Sequence, residues 1–513
     1  MIKILHIIDT LSSAGPTRSL IASAKYAAKQ GIVQQHRVIT LQPKVYPLAL
    51  ILAQQAGVTV IRKPEREILL HEVEQADIVQ VHFWNNPEIY NFLRDNLPAM
   101  RLLVTLHIMG DNPPQVITPA LLDYSDFVLA TSPCTLEMSI FQALSDLQIS
   151  QKTSVIYSVA DWDRLTNLQS CCHQNFNVGY IGTINFAKMH PRYIPMSAAI
   201  SVPDIRFIVC GGGIQSALQQ QAIALGGSEK FDFRGYVENI KPVLETLDVF
   251  GYPLCVDTYA TSEKSLQEAM YAGVPPVVFP YGGVKDLVKH EQTGLVVESE
   301  LEYQQAIEYL YYHPDVRLKL GQNATDYARQ VFDSKNAVQQ LHEIYDRMIK
   351  QPKRQRIWKE TVTFTQQLTP SLLFVQTLGD SAPEFNISMT AVDPEVLLEA
   401  EGKIANASAL LAGGEGGIIH YRNFYPNDDY LRLWSGLVLQ NQQKHDIALA
   451  EFVTAIKLGL SHWRVHWYLA QSALQIQDFL TAKTALAHVI NAEPNFIEAQ
   501  VLFQTFQEIC FSL

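Results

Sequence analysis

The sequence predicts an α/β protein in which two Rossmann-like domains are followed by an α-helical repeat domain. Three observations support this fold class. Short apolar runs alternate with helical patterns in the first part of the chain, the same rhythm restarts after a polar stretch near residues 165–176, and a 34-residue repeat lies near the end. With 513 residues, the chain is long enough for about three domains.

The first series of apolar runs predicts a parallel sheet built from βαβ units, because each run has the length of a buried strand and a helical pattern follows it. We assign this series to a first domain, residues 1–165. The predicted strands are Ile4–Ile8, Arg37–Leu41, Val58–Ile61, Ile78–Phe83, Leu102–His107, Phe127–Ala130 and Val155–Tyr157.

The second series predicts another parallel sheet, in a domain of residues 166–351 that ends in the helical pattern of residues 300–351. Its predicted strands are Val178–Ile184, Arg206–Cys210, Phe231–Tyr236, Val249–Tyr252, Val277–Pro280 and Leu295–Val297. Ligands of such folds bind off the carboxyl ends of the strands, so we expect a ligand site between the two domains.

A basic stretch, 347–359, follows this second domain. Such a run is typical of a solvated linker or final helix, and the other interpretation is contact with anionic lipid headgroups, which would make membrane contact peripheral at most. Residues 352–395 are assigned as a linker, because 361–395 are rich in Thr, Gln, Ser and Pro and predict an irregular connection.

Two 34-residue units, Asp429–His462 and Trp463–Phe496, predict paired helices in a repeat domain of residues 396–513. Their period and matched small residues, such as Gly436 with Ala470, resemble tetratricopeptide repeats. Further helices are expected at Leu397–Leu411 and Ile497–Phe511, because two repeats bury too little surface to stand alone. Such repeats would bind a protein partner or hold a long acceptor.

Composition narrows the class of protein. The net charge of −12 provides no general attraction for nucleic acid, and no run of 18 apolar residues predicts a membrane-spanning helix. The six cysteines lack metal-ligand spacing, which favours a reducing, cytoplasmic location. The segment Met1–Asp9 is too short for the apolar core of a signal peptide and predicts a first buried strand.

The segment 259–297 is the densest signal in the chain. It predicts a loop, a helix, a glycine stop, a buried strand and a glycine turn in succession. Ser262 is the predicted N-cap, which would leave free N–H groups at the helix start for a pyrophosphate. Glu268 lies in that helix and could accept two hydrogen bonds from a ribose diol, although a surface glutamate would also fit this position.

The pattern Glu268-Ala-Met-x-x-Gly273-x-Pro, followed by Gly282-Gly283 and by Thr293-Gly294-Leu-Val, resembles the donor-binding half of glycosyltransferase family 4, the group 1 glycosyl transferases with a GT-B fold. The resemblance covers roughly residues 1–350. It implies a nucleotide-sugar donor held mainly by residues 178–297 and an acceptor held mainly by residues 1–160.

Several other segments resemble this family in chain order. They imply donor contacts from the N-terminal glycine loop at Gly15 and from the strand turns at Gly212, Tyr236 and Val237, together with contacts from Ser262, Glu263 and Glu268. The same resemblance implies catalytic roles for His107, at a strand end, and for Lys188, which would stabilise charge on the leaving nucleotide. His107 could instead be structural, Lys188 could be an exposed loop lysine, and His82 is a weaker candidate.

Two positions depart from the family pattern. Thr183 replaces an arginine expected after the glycine at 182, a loss that Arg192 or Arg18 could compensate. Ala260 replaces a glutamate near the donor sugar, and Glu263 lies three positions later, where it could complement the helix dipole. Sugar recognition is therefore altered, or activity is lost.

The resemblance implies transfer of a hexose-type sugar with retained configuration, without a cofactor or a bound metal. The acceptor is unidentified and could be a sugar, a lipid-linked molecule or a protein. The alternative is a glycosyltransferase-like scaffold that is catalytically impaired and acts through its repeats. An epimerase of similar architecture fits the glutamate and glycine pattern less well.

Overall fold

The computed structural model describes residues 1–358 and 368–512, and for residues 506–512 it describes only the backbone. The described chain divides into two compact units. The first covers Met1–Trp84 and 88–358, and the second covers Asn85–Pro87 and 368–512. Within these residues, every helix is too short or too polar to cross a bilayer.

The first domain contains a seven-stranded parallel sheet in the order β3-β2-β1-β4-β5-β8-β9. The strands of this sheet are β1 (Ile2–Ile8), β2 (Gln34–Thr40), β3 (Thr59–Arg62), β4 (Ile78–Phe83), β5 (Leu102–Leu106), β8 (Phe127–Ala130) and β9 (Thr153–Val155). Two further strands, β6 (Asp111–Asn112) and β7 (Gln115–Val116), form a separate antiparallel pair. The helices are α1 (Gly15–Lys29), α2 (Pro47–Gln55), α3 (Arg66–Gln75), α4 (Pro87–Arg94), α5 (Pro119–Tyr124), α6 (Pro133–Leu136), α7 (Ser139–Gln142) and α8 (Asp146–Lys152).

The second domain contains a six-stranded parallel sheet in the order β12-β11-β10-β13-β14-β15. Its strands are β10 (Phe176–Ile181), β11 (Ile205–Cys210), β12 (Phe231–Gly235), β13 (Val249–Tyr252), β14 (Pro276–Val278) and β15 (Leu295–Val296). The helices are α9 (Tyr193–Ala198), α10 (Gln215–Ala224), α11 (Lys241–Leu244), α12 (Lys264–Tyr271), α13 (Val284–Leu287), α14 (Glu300–Tyr312), α15 (Pro314–Val331) and α16 (Ser334–Ile349), and short 3-10 turns occur at Trp162–Leu165 and Ser228–Lys230.

These two sheets confirm the predicted fold class. All thirteen predicted strands overlap a strand of the structure. A parallel strand that is covered on both faces needs apolar side chains at successive positions, so it can be recognised in the sequence as a short apolar run. The predicted strand Val155–Tyr157 overlaps only at its first residue, since β9 covers Thr153–Val155. Strand β5 ends at Leu106, one residue before the predicted end, so His107 follows the strand.

Helix α16 returns from the second domain to pack on the first. Leu341, Ile344 and Met348 join a buried cluster with residues of β1, β4 and β5. The hydroxyl of Tyr345 donates a 2.5 Å hydrogen bond to the side-chain oxygen of Gln80 in β4. The chain therefore crosses between the domains twice, and this limits how they can move apart.

The basic stretch near 350 is solvated in part, since Arg347 and Lys350 are exposed and Arg356 is buried. Arg356 is buried and forms an ion pair with Asp126, and Arg354 pairs with the same carboxylate at 2.7 Å. The ring of Trp358 packs against Tyr90 and Tyr124. The interpretation as a solvated final helix fits Arg347 and Lys350, while Arg356 departs from it because the Asp126 carboxylate of the first domain holds it. Contact of the stretch with lipid headgroups stays a prediction.

A glycine turn after β11 makes close backbone contact with the loop after β10. Gly211 has a positive φ of 153°, and a Cβ there would lie 1.8 Å from the carbonyl oxygen of Gly182. Gly211→Ala is expected to lower the free energy of unfolding by about 2–4 kcal/mol, because overpacking and backbone strain add. Urea unfolding measures this change, with Gly212→Ala as control, since a Cβ at Gly212 meets nothing within 4 Å. Equal loss in both variants would contradict this account.

The second unit is helical. Its helices are α17 (Pro370–Leu378), α18 (Glu384–Thr390), α19 (Pro394–Ala405), α20 (Ala409–Gly413), α21 (Ile418–Phe424), α22 (Asp429–Asn441), α23 (His445–Leu458), α24 (Trp463–Gln475), α25 (Phe479–Ala492) and α26 (Ile497–Ser512). The predicted irregular connection at 361–395 is wrong where α17 and α18 form, because their apolar residues pack into the helical core. Residues 361–367 of that connection lie outside the described residues.

The helix pairs α22–α23 and α24–α25 begin 34 residues apart, at Asp429 and Trp463. The small residue at Gly436 permits close helix approach, since a Cβ there would lie 2.4 Å from the ring of Phe452. Helices also form where Leu397–Leu411 and Ile497–Phe511 were predicted. The region is therefore helical as expected, while its assignment to tetratricopeptide repeats stays a prediction.

Candidate functional site

The segment between β13 and α12, residues 253–263, lies against the first domain. The backbone N–H of Met109 donates to the carbonyl oxygen of Tyr259 at 3.0 Å. The hydroxyls of Thr131 and Thr261 are 2.9 Å apart and buried. These contacts place the densest sequence signal at the ends of the strands of the first sheet, where a ligand between the domains was expected.

Ser262 does not cap helix α12. The helix begins at Lys264, Glu263 occupies the N-cap position, and no side chain caps the helix. The Ser262 hydroxyl instead accepts hydrogen bonds from the backbone N–H of Ser158 at 2.9 Å and from the Gln267 side chain at 2.8 Å. The predicted N-cap is therefore wrong, because the contact with the first domain turns this side chain away from the helix start.

Glu268 is buried on α12, with 1% of its surface exposed. One carboxylate oxygen, Oε1, forms an ion pair with Arg18 of α1 and lies 3.7 Å from Arg164. The other oxygen, Oε2, is buried and has no hydrogen-bond partner among the described residues. A buried acceptor without a donor is costly, so this oxygen is suited to a hydroxyl of a bound ligand.

Three basic side chains lie near Glu268. They are Arg18, Arg164 and the buried Lys264. Burial lowers the pKa of Lys264 well below its usual range, and the charges of Arg18 and Arg164 lower it further, while Glu268 opposes this. Burial and the charge of Arg18 also lower the pKa of Arg164. The two arginines carry more positive charge than Glu268 balances, since the nearby Asp161 is itself paired with Lys25. An anionic group such as a phosphate would complete this balance.

The predicted donor-binding turns approach this cluster through Arg164. Its guanidinium donates to the carbonyl oxygen of Glu238 at 2.7 Å, one residue beyond Val237. Tyr236 is 59% exposed, and its hydroxyl lies close enough to influence the charge of Arg164. Gly212, in contrast, is exposed, and the structure records no contact between it and Glu268.

Gly15 is the first residue of α1, and Arg18 lies one turn later on the same helix. The preceding loop is closed by a hydrogen bond from the backbone N–H of Ser12 to the Thr17 hydroxyl at 3.2 Å. Because Arg18 reaches Glu268, the N-terminal end of α1 faces the same region as α12. This end is therefore positioned to offer backbone N–H groups to an anion.

Lys188 and Glu263 form a second buried group. Their side chains are 12% and 10% exposed, and Nζ of Lys188 lies 2.7 Å from Oε2 of Glu263. The hydroxyl of Tyr252 donates to the same oxygen at 2.6 Å. Burial opposes the charge on Lys188, but the Glu263 carboxylate together with Tyr259 and Tyr180 outweighs burial and raises the pKa of Lys188. Lys188 therefore stays protonated, and the expectation that Glu263 only complements the helix dipole is wrong.

His107 is buried directly after β5, and its Nε2 lies 3.0 Å from Nδ1 of His82. Burial lowers the pKa of His107 well below its usual range, and the neighbouring His82 and Lys264 lower it further. His107 is thus a neutral imidazole, and Lys264 connects it electrostatically to the group around Glu268. The two predicted histidines lie together.

Arg192 and Arg18, the two candidates to replace the arginine missing at Thr183, lie in different surroundings. Arg192 pairs with Glu300 at 2.7 Å and is 62% exposed, so it does not belong to the group around Glu268, whereas Arg18 does. Ala260 is buried, and its carbonyl oxygen accepts from the backbone N–H of Gly283 at 2.8 Å. The Ala260 backbone is held in place, while its methyl group offers no hydrogen bond to a sugar.

Sequence reasoning did not find Arg164 or Lys264. Lys264 lies inside the 259–297 segment, so its position next to Ser262 and Glu263 was an available signal. Arg164 lies in the polar stretch between the domains, where a basic residue is typical of a solvated turn. Only the packing of the Trp162–Leu165 turn against the second domain brings it to Glu268.

Comparison with known proteins finds a family match over the part of the chain that carries Glu268. Residues 173–327 match the family described as glycosyl transferases group 1. This match includes Lys188, Glu263 and Glu268. A curated relative, D-rhamnosyltransferase WbpZ of Pseudomonas aeruginosa, is 27% identical over 286 residues, which cover 50% of this chain and 70% of that protein.

Solved structures share the fold of the two sheets. Anabaena HepE, determined in complex with UDP and glucose, has a TM-score of 0.56 and 18% identity, covering 68% of this chain and 100% of that one. A glycosyltransferase from Rickettsia africae has a TM-score of 0.56 and 15% identity, covering 68% and 99%. The family match, together with this shared GT-B fold, supports a group 1 glycosyl transferase domain around Glu268 and Lys188.

Proposed function

We propose that this protein transfers a sugar from a nucleotide-sugar donor to an acceptor, with retained configuration. The observation that carries this proposal is the buried Glu268 carboxylate, whose Oε2 lacks a partner while cations surround it. A ribose hydroxyl can donate to this oxygen, and a pyrophosphate can lie beside Arg18, Arg164 and Lys264. A single bound donor would then supply a hydrogen bond to Oε2 of Glu268 and negative charge to the arginines.

Lys188 is proposed to stabilise the leaving nucleotide. It is a protonated amine in a water-poor setting, where a positive charge acts strongly on charge that develops during the reaction. When the donor enters, its phosphate competes with Glu263 for Nζ. The bond from the anomeric carbon to the phosphate oxygen breaks, the acceptor oxygen bonds to that carbon, and the leaving phosphate takes the acceptor proton.

The similar proteins named above suggest which sugar donors to test first. HepE is described in complex with UDP-glucose, and WbpZ is described as a D-rhamnosyltransferase. A nucleotide-linked hexose is therefore the first class to test. The two arginines beside Glu268 and the protonated Lys188 support chemistry without a bound metal. Unchanged turnover in EDTA is the expected result.

The test uses the purified full-length protein with a panel of nucleotides and nucleotide sugars, including UDP-glucose and nucleotide-linked D-rhamnose. A nucleotide at about 100 times its Kd should stabilise the fold by about 2.7 kcal/mol, seen as a thermal shift, and slow hydrolysis should release free nucleotide. Binding without hydrolysis or transfer would support the impaired scaffold instead. If no member of the panel binds, the proposed function is wrong.

The helical second unit is proposed to bind a protein partner or a long acceptor. Its paired helices with a 34-residue period support this role, because stacked helix pairs present extended surfaces. We propose a cytoplasmic location on the basis of the cysteine pattern.

A further inference from the structure

Four buried histidines form a continuous row of hydrogen bonds across the first sheet. His36 lies on β2, His6 on β1, His82 on β4 and His107 just after β5, so the row follows the order of neighbouring strands. The ring nitrogens approach at 2.9 Å between His36 and His6, 3.1 Å between His6 and His82, and 3.0 Å between His82 and His107. We call this row the histidine chain.

Each ring in the histidine chain is neutral. Burial lowers the pKa of His36 to about 4 and that of His82 to about 3. Burial and the flanking rings place the pKa values of His6 and His107 well below their usual range, with Lys264 contributing at His107. A neutral imidazole has one N–H donor and one acceptor nitrogen. All members of the chain must therefore donate in the same direction, toward His36 or toward His107.

The residue at the far end sets this direction. The side-chain oxygen of Gln34 lies 3.2 Å from Nε2 of His36, and its amide nitrogen lies 3.2 Å from Nδ1 of His342. Nε2 of His342 faces Oδ2 of Asp346 at 3.7 Å, which leaves Nδ1 of His342 to accept from the Gln34 amide and turns the Gln34 oxygen toward His36. A carbonyl oxygen only accepts, so in this orientation His36 carries its proton on Nε2. Its Nδ1 then accepts from Nε2 of His6, and the same relation repeats through His82 to His107.

His107 therefore carries its proton on Nε2, where it donates to His82, and its Nδ1 is left as an acceptor. No described residue hydrogen-bonds this Nδ1. The backbone of His107 accepts from the Thr261 hydroxyl at 3.3 Å, which ties it to the segment before Glu263. The open nitrogen is thus an acceptor in the region where the proposed reaction takes place.

We propose that Gln34, acting through the histidine chain, is a positioning residue that fixes the tautomer of His107 so that Nδ1 accepts a hydrogen bond from a substrate hydroxyl. This inference rests on the proposed function for the identity of the substrate. The tautomer itself is a property of the protein alone. Reversing it requires rotation of the Gln34 amide and the shift of a proton on all four rings, so one end controls the other.

The experiment compares two substitutions of opposite hydrogen-bonding type. Gln34→Glu keeps an acceptor at His36, whereas Gln34→Lys presents only donors and should reverse the chain. The controls are Gln35→Glu and Gln35→Lys, which add the same charges one residue along β2, on the opposite face. The readout is ¹⁵N NMR of histidine-labelled full-length protein, which identifies the protonated ring nitrogen, with His107 assigned by a His107→Gln variant.

The expected result is an Nε2 proton on His107 in the wild type and in Gln34→Glu, and an Nδ1 proton in Gln34→Lys. Turnover should fall about tenfold in Gln34→Lys, with nucleotide affinity unchanged, and neither effect should occur in Gln35→Lys. An Nδ1 proton on His107 in the wild type, or an unchanged tautomer in Gln34→Lys, overturns the inference. Loss of nucleotide binding in the wild type would instead count against the proposed function, because the NMR result does not depend on it.

Discussion

Replacing Lys188 with methionine is expected to lower kcat for sugar transfer about 10²–10³-fold, because it removes a preorganised positive charge from the leaving group. Methionine keeps the unbranched apolar stem and loses only the ammonium group. Nucleotide affinity should fall less than kcat, since the charge acts mainly on the transition state. Steady-state kinetics with a saturating nucleotide sugar measures the effect.

The Lys188→Met variant also leaves Glu263 without its ion pair, so its stability needs a separate control. Leaving a buried charge unpaired costs about 3 kcal/mol or more, although the Tyr252 hydroxyl still donates to this carboxylate. The double variant Lys188→Met with Glu263→Gln should regain that stability in thermal unfolding but not the turnover. Recovery of both would show that Lys188 only neutralises Glu263, and the proposed role in catalysis would be wrong.

Replacing Glu268 with glutamine is expected to weaken nucleotide binding by about 1.5–3 kcal/mol, or roughly 10- to 150-fold in Kd. The carboxylate offers two acceptor oxygens, whereas the amide offers one and places N–H donors beside Arg18. Isothermal titration with the nucleotide that gives the largest thermal shift measures the change.

The matched control for Glu268 is Glu72→Gln. Glu72 also pairs with a partly buried arginine, since its Oε1 lies 2.6 Å from Nη2 of Arg37. This pair joins α3, which carries Glu72, to β2, which carries Arg37, and both elements belong to the first domain. This control should lose a similar ion pair without losing nucleotide affinity. Equal loss in both variants would mean that a general change in charge or stability weakens binding, and the ribose contact would lie elsewhere.

The strands of both sheets were predictable because a buried parallel strand imposes a local pattern. Ile78–Phe83, Phe127–Ala130 and Val249–Tyr252 have the same bounds in the sequence prediction and in the structure. Errors occurred where local pattern and tertiary packing disagree. The polar composition of 361–395 concealed helices α17 and α18, whose stability depends on the core that they join.

The site was predictable only in part. The motif around Glu268 marked the correct helix, but Ser262 was assigned as its cap, since side-chain direction at a helix start depends on neighbours from another domain. Arg164 and the ring partners of His107 gave no sequence signal as a group. His6, His36, His82 and His107 are spread over four segments, and only the strand order of the sheet brings their rings into contact.

The sequence by itself determined the α/β class, the two sheets and the helix that carries Glu268, because apolar periodicity and glycine turns are local properties. The tertiary structure decided which side chains form ion pairs and hydrogen bonds with one another. Glu268 meets Arg18 across 250 positions of the chain, Lys188 meets Glu263, and Gln34 ends the histidine chain. Ion pairs and hydrogen bonds act over a few ångströms in space, so their partners follow from the packing of distant segments and not from spacing along the chain.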